Sequence, residues 1–365
     1  MDRPRLLDLY IDFLLSSTQQ SSATVLSELV DGEVSHDQIT RMLDDPTDEL
    51  FGQKAYWKRI KPLIREVQND NGCLIMDDFI VEKPHSKESE VVCYHHSHLH
   101  GRSVKGINIV HLQYSVDHLE KEVHLPVGFE IVRKPQIVED PKTGKSKRIG
   151  KRTKHEIFRD LLKTAVHLHH IPCSFILADS WYCANETMSF IKKKLKKDFL
   201  FGIKTNRNVA LSRAQLKRKE FVKLADLPLE PGQVQQIWIK DVDFPLYLVK
   251  EIYINKDQSK GILYMVTSKQ GLTYQQIIST YPKRWRIEEA HKSLKNNVMI
   301  AKSPTRIPRT QANHIFAAFC AMVQIEWMKL KTASNHFAIK RKLYIKAVKA
   351  SFKELQRMKY SISHA

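Results

Sequence analysis

The sequence predicts an α/β fold in which a mixed sheet is flanked by helices, preceded by a helical segment and interrupted late by a β-rich one. Three observations predict it. Residues 1 to about 70 place apolar side chains at helical spacing, as in "LLDLYIDFLL" and "TVLSELV", with no strand pattern among them. From Cys73 the pattern changes to runs rich in β-branched and apolar residues. Helical and strand patterns then alternate, as expected where helices cover the faces of a sheet.

Each element has its own reason. Within the first part, "SATVLSELVDGEVSHDQITRML" reads as helix, tight turn, helix, with Gly32 supplying the turn and Ser35 with Gln38 forming a capping box. That pattern suits a groove-reading helix-turn-helix and equally a small helical bundle. Three strands follow: "CLIMDDFI", "GINIVHLQYSV" and "EVHLPVGFEIVRK". After them come a helix over His155 to His169, a buried strand "CSFILAD", a basic amphipathic helix around "MSFIKKKLKK" and a strand "FLFGIK". The order β-β-β-α-β-α-β is the RNase H-like series. Residues 205–270 add "QQIWIK", "FPLYLVKEIYI" and "GILYMVTS", read as a β-rich insertion. The expected organisation is therefore a helical DNA-binding domain over 1–70, the first part of the core over 71–204, and the insertion over 205–270. Core helices over 271–331 and a basic helical tail over 332–365 complete the chain.

A chain of 365 residues exceeds one ordinary core and suits two or three domains. Lysine and arginine outnumber aspartate and glutamate by 59 to 40, a formal charge of +19, which favours a polyanionic partner, nucleic acid before a membrane surface. The five cysteines are scattered and never form a C-x-x-C pair, so neither a disulfide framework nor a zinc ribbon is indicated, and a reducing cytoplasm fits. Asp2, Asp8 and Asp12 stand where a targeting peptide would be basic, and "IFAAFCAMVQIEWM" is too short and polar to span a bilayer, so a soluble protein without a membrane partner is expected.

The stretch "YPKRWRIEEAHKSLKNN", Tyr281 to Asn297, sets two carboxylates among cations. At about 100° per residue, Tyr281, Arg284, Lys292 and Lys295 fall within roughly 40° of Glu288, whereas Glu289 lies about 100° away. The two glutamates therefore have different jobs. A salt-bridged helix face is the plain reading of such a stripe. Two further carboxylate positions change it: Asp77 and Asp78 come late in the first strand, and Asp179 closes the buried strand "CSFILAD". A carboxylate ending an apolar strand is costly unless solvated, paired or metal-bound. Two strand aspartates and a helix glutamate form the oxygen-rich set that hard divalent ions need, and two such ions can drive an in-line phosphoryl displacement.

These residues resemble the DDE transposases of bacterial insertion sequences, in the insertion-sequence-four group. The group is recognised by tyrosine, two residues, arginine, three residues, glutamate, six residues, lysine, and Tyr281, Arg284, Glu288 and Lys295 reproduce every interval. "LIMDDF" and "ILADSWY" are similar to its two aspartate motifs, and residues 205–270 lie where it carries a β-rich insertion. The likeness runs from about residue 70 to 330. It implies that Asp77, Asp179 and Glu288 are catalytic and hold two magnesium ions, with manganese able to substitute. Tyr281, Arg284 and Lys295 would hold DNA, and Lys292, on the same helical stripe, is expected to join them. Neighbouring strand residues point to opposite faces, so Asp77 and Asp78 do not both face the metals; Asp77 is taken, with Asp78 the other choice, and Phe79 departs from the threonine usual after the aspartate pair. The implied activity is cleavage of double-stranded DNA at element ends and strand transfer into target DNA, by a homodimer synapsed on DNA. An RNase H-like nuclease or resolvase without strand transfer is the alternative, followed by an inactive DNA-binding regulator.

Other signals have plainer readings. Cys93, His95, His96, His98 and His100 match no metal-ligand spacing and are read as a polar loop near the site. The basic runs "KTGKSKRIGKRTKHE" and "KKKLKK" are read as DNA contacts, against a merely solvated surface. Cys183 and His167 are taken as structural. Tyr264 in "GILYMVTS" is expected either to stack an unpaired base beside the site, with Trp238 as the fallback, or to pack in the insertion's own core.

Overall fold

A computed structural model describes residues 1–97, 100–139, 141, 144–255, 257–332 and 334–363. The chain opens with five helices. α1 (Arg3–Ser16) is capped by Asp2, whose side chain accepts from the Arg5 N–H at 2.9 Å. α2 (Ala23–Leu29) is followed by a left-handed turn at Asp31 (φ 51°) and Gly32 (φ 77°), and α3 (His36–Leu43) begins with the capping box of Ser35 and Gln38. α4 (Asp48–Phe51) and α5 (Gln53–Val67) lead to the sheet.

The strands are β1 (Cys73–Glu82), β2 (Cys93–Ser97), β3 (Arg102–His118) and β4 (Lys121–Ile131), then the small hairpin β5 (Gln136–Glu139) and β6 (Ser146–Ile149). After α6 (Lys154–Lys163) come β7 (Phe175–Ala178), α7 (Asn185–Ser189) and β8 (Phe199–Gly202). Both helices end in a π-helical turn, Thr164–Leu168 and Phe190–Leu195. The anticipated β-β-β-α-β-α-β order is thus present as β1, β3, β4, α6, β7, α7 and β8. β2 was expected as loop. Its alternation turns Cys93, His95 and Ser97 inward against β3, and this period-two burial makes the segment a strand. His98 of the same segment lies outside the described residues, as do residues 142 and 143 of the first basic run.

β9 (Asn208–Val209), α8 (Arg213–Arg218), β10 (Val222–Lys223), β11 (Gln235–Ile237), β12 (Leu246–Ile254) and β13 (Lys260–Thr267) follow. β13 pairs antiparallel with β8, and β12 and β11 continue outward, so the β-rich segment extends the central sheet. Nine strands of the described residues form that sheet, in the order β11-β12-β13-β8-β7-β1-β3-β2, with β4 also on β3. β1, β7 and β8 run parallel; β3 is antiparallel to β1.

The chain closes with α9 (Tyr274–Thr280), a 3₁₀ turn (Tyr281–Trp285), α10 (Arg286–Asn296), α11 (Pro308–Thr332) and α12 (His336–Ser363). α10 crosses one face of the sheet, where His291 packs on Phe79 with ring centres 4.2 Å apart; α6 covers the other, where Lys154 meets Asp78. α11 binds the N-terminal helices to the sheet. Tyr10 and His314 are hydrogen-bonded at 2.8 Å, the Asn313 amide donates to the Leu43 carbonyl at 2.9 Å, and Phe129 stacks on Phe319 at 3.9 Å. One apolar core therefore runs from Leu6 to Ile339. α12 is anchored at its start: His336 lies 2.6 Å from the buried Glu326 and 2.9 Å from Ser293 Oγ, and Lys340 donates to the Leu15 and Ser17 carbonyls. From Arg341 to Ile362 its described side chains are exposed. Among the described residues no helix is long and apolar enough to cross a membrane.

Candidate active site

Parallel pairing of β1 with β7 brings two carboxylates together. The last registered pair is Met76 with Ala178, so Asp77 and Asp179 are the next residues on adjacent strands. Each strand is apolar up to that point, and β7 stops there. Asp179 Oδ1 accepts the N–H groups of Trp181 (3.0 Å) and Tyr182 (3.3 Å), which turns the chain away from the sheet. Asp77 Oδ1 accepts the Asp78 N–H at 2.8 Å.

Strand alternation separates Asp77 from Asp78. Ile75 and Phe79 pack beneath α10 and the turn before it, so Asp77 between them faces the same way. Asp78 faces α6, where it accepts from Lys154 Nζ (2.8 and 2.9 Å), the Tyr182 hydroxyl (2.8 Å) and the Asn108 amide (2.9 Å). That carboxylate is saturated. Asp77 lacks comparable support: burial, then the charges of Asp78 and Asp179, push its pKa up to about 8, against smaller opposing effects of the Asp78 N–H and Arg284.

Above Asp77 lies the segment from Tyr281. Pro282 stands in its first turn, and Tyr281–Trp285 winds as 3₁₀, so the uniform 100° step does not describe the expected stripe there. The Tyr281 hydroxyl reaches the Ala178 carbonyl at 3.4 Å, and Gly202 makes this approach feasible, since a Cβ there would stand 2.7 Å from that hydroxyl. Burial raises the phenol's pKa to about 12, so it stays a neutral donor. Arg284 is buried and donates to Glu288 at 3.0 Å, and its charge also reaches Asp77. Glu289 pairs instead with Arg286 at 3.1 Å, and Arg286 pairs with Glu122 at 2.7 Å. The two glutamates have separate partners. Lys295 lies over Phe79 at 5.7 Å, on the β1 side. Lys292 leaves that group: it lies over Phe337 of α12 at 5.5 Å and lines a different cavity, with Arg286 and Glu289.

A cleft of about 600 Å³ opens beside Asp179, lined also by Tyr281, Arg284 and Tyr264. Tyr264 is only 4% exposed and belongs to the main core. Its ring as folded offers no free face to a base, and of the two readings given to it from the sequence this packing matches the core one. Trp238 is also buried, with Arg213 over its ring at 6.0 Å.

Among the described residues no three histidine, cysteine or acidic side chains are gathered so as to hold a metal ion. Asp77 and Asp179 supply, from the ends of adjacent strands, the oxygen donors that a hard divalent cation takes. Glu288 is turned to Arg284, and the cation-rich helix face explains why.

Sequence reasoning missed several residues here. Lys154 and Tyr182 lie in the basic run and in "ILADSWY", but neither they nor Asn108 were read as partners of Asp78, and the Lys154 ammonium is paired with that carboxylate. Gly202 was legible only as a small residue ending a strand. His111 pairs with Asp77 across β1 and β3, and with His291 it forms a buried imidazole pair, ring centres 5.3 Å apart, between Phe79 and Phe319. Burial pushes both pKa values down, His111 to about 3, so both rings are neutral.

Two family models match this chain. One, described as DDE superfamily endonuclease, matches residues 1–220; the other, described as Transposase DDE domain, matches residues 127–324. No curated protein matches it.

Proposed function

Because the chain belongs to the DDE superfamily of endonucleases and transposases, we propose that it is a transposase that cuts DNA at element ends and joins the freed 3′-hydroxyl to target DNA. The observation that carries this reading is the register of β1 with β7, which sets Asp77 beside Asp179 beneath Arg284 and Tyr281. The spacing of Tyr281, Arg284, Glu288 and Lys295 supports the insertion-sequence-four group within the family.

In this reading Asp77, Asp179 and Glu288 would hold two magnesium ions, or manganese in their place, and Glu288 would do so once parted from Arg284. Bound there, the ions would supply activation of the attacking oxygen and stabilisation of the leaving one. The chain's own groups do the rest. Arg284, released from Glu288, and Lys295 take phosphate oxygens. Tyr281 keeps its proton, and turns it from the Ala178 carbonyl to a phosphate oxygen of the strand when DNA binds. Asp78 fixes β1 against α6, so that its neighbour Asp77 holds one orientation. The formal charge of +19 suits a duplex end and a target duplex together, in a synapsed homodimer.

The test is to incubate the protein with magnesium and duplexes bearing the DNA that flanks its own gene, and to map both cut ends and joined products. Cuts exposing a 3′-hydroxyl at a defined end, followed by joining to a second duplex, are expected. Cutting without joining would favour a nuclease or resolvase, and binding without cutting would favour a regulator.

A further inference from the structure

Beyond the Tyr281 to Lys295 group, a second element overlooks Asp179. β8 ends beside β7, and the next residues make a turn, Lys204–Arg207, closed by the Arg207 N–H donating to the Lys204 carbonyl at 3.1 Å. Two backbone bonds brace it from residues 224 and 225: Ala225 N–H to the Thr205 carbonyl (3.0 Å) and Leu224 N–H to the Arg207 carbonyl (2.8 Å). Its root is tied to β13 by Ile203 N–H donating to the Tyr264 carbonyl at 3.0 Å, and the Arg207 guanidinium donates to the Asn185 side chain. The backbone is held on every side, yet the side chains of Lys204, Thr205 and Asn206 are exposed. They line the same cleft of about 600 Å³ as Asp179 and Arg284.

Several cations of the core are already engaged, though among the described residues Lys295 is not. Lys154 pairs with Asp78, Lys192 with Asp198, Arg284 with Glu288 and Arg286 with Glu122. Lys204 has no carboxylate partner among the described residues. A rigid backbone that presents an unpaired ammonium over a carboxylate-bearing cleft does nothing evident for the fold. It suits an anion that arrives with the substrate. The cleft lies within the size range of small-ligand sites, about 300 to 1,000 Å³, and joins this cationic rim to apolar surface from Ile262 and Leu263. That combination matches one sugar-phosphate unit.

We infer that Lys204 holds a backbone phosphate of the cut DNA strand one or a few nucleotides from the scissile one, the cleft seating the sugar between them. Thr205 and Asn206 add neutral donors to the same phosphate. This rests on the reading that the site cuts DNA, and Lys204 is then a positioning residue, since it acts on the reacting phosphate through the strand.

A chemical version of a double-mutant cycle tests it. Duplexes bearing the DNA that flanks the gene are made with a single uncharged methylphosphonate at successive positions around the cut. Cleavage by the unsubstituted protein, Lys204→Ala and Lys204→Arg is then compared in magnesium. On all-phosphate DNA, Lys204→Ala is expected to be slower by about tenfold or more, the loss of one charge-assisted hydrogen bond, with an unchanged thermal midpoint. At one position the methylphosphonate should slow the unsubstituted protein and Lys204→Arg, but leave Lys204→Ala no slower than before. If every methylphosphonate slows Lys204→Ala by the factor it slows the unsubstituted protein, the inference is wrong while the nuclease reading stands. If the unsubstituted protein cuts none of the duplexes, the reading beneath it falls, and the inference with it.

Discussion

Asp77→Asn replaces a carboxyl that resists ionisation with a neutral side chain of nearly the same shape, and the consequence can be worked out. Burial, followed by the charges of Asp78 and Asp179, carries the folded-state pKa from 3.8 to about 8. In the unfolded chain the group ionises near its ordinary value. Between those two values the folded protein binds a proton that the unfolded chain has lost, so this acid contributes stability that falls as pH rises, by at most about 1.4 kcal/mol per pH unit. Asp77 keeps partial contact with solvent, and screening there makes that slope a ceiling. Half of it still amounts to about 2 kcal/mol between roughly pH 5 and pH 8. Asparagine keeps the oxygen that accepts the Asp78 N–H and has no charge to lose. The assay is urea unfolding of both proteins across that pH range in the presence of a chelator. The variant should gain on the unsubstituted protein steadily as pH rises, and the histidines, common to both, cancel. Magnesium added at the alkaline end should narrow the gap, because a cation favours the ionised carboxylate. A gap that stays constant across the range would refute the assignment of Asp77 to a crowded, charge-deficient site.

Other substitutions probe the surrounding geometry. Glu288→Ala should abolish cleavage in a gel assay, whereas Glu289→Ala, which loses only the exposed pairing to Arg286, should retain it and cost less than about 1 kcal/mol. Gly202→Ala should drive the Tyr281 hydroxyl from its place over Ala178, slowing cleavage and lowering stability by roughly 1 to 3 kcal/mol; an unchanged rate would deny Tyr281 its role. Glu326→Gln concerns the anchor of α12. Burial alone would raise the Glu326 pKa, but His336, Lys329 and His124 together bring it down to about 2, so its stabilisation is present above the unfolded value of 4.5 and fades as pH falls toward 2. The variant should be destabilised by about 3 to 5 kcal/mol at neutral pH, and the difference in urea midpoint should shrink in acid.

The succession of strands and helices was legible because each carries a local signal: a continuous apolar run in β1, a period of two in β4, and a period near 3.6 in α1 and α10. Capping at Ser35 was equally local. What joined the site together was not local. Asp77 and Asp179 become neighbours only through the register of two strands about a hundred residues apart, and no periodicity encodes a register. By the same limit no local pattern showed that residues 205–270 join the central sheet, as they do where Met265 pairs with Gly202. The helical stripe was read with one uniform turn, but Pro282 lies in a 3₁₀ turn and Lys292 rests on Phe337, a residue of another helix. Tyr264 shows a different limit: an aromatic on a strand has two faces to choose from, and only the packing around β13 settles that it is enclosed.

The bond between Tyr10 and His314 spans 304 residues, which gives the molecule a timetable. During synthesis at about 5 to 20 residues per second, the apolar side of α1, with Leu7, Tyr10 and Leu14, emerges roughly 15 to 60 s before its partner α11 exists. For that interval α1 has only the helices of its own segment to close on, as where Arg59 of α5 meets Asp8. A ribosome that stops before Pro308 releases a chain with those side chains uncovered on the α11 side. Completion of α11 is thus the event that closes the core over α1, and its His314 is made 304 residues of synthesis after Tyr10.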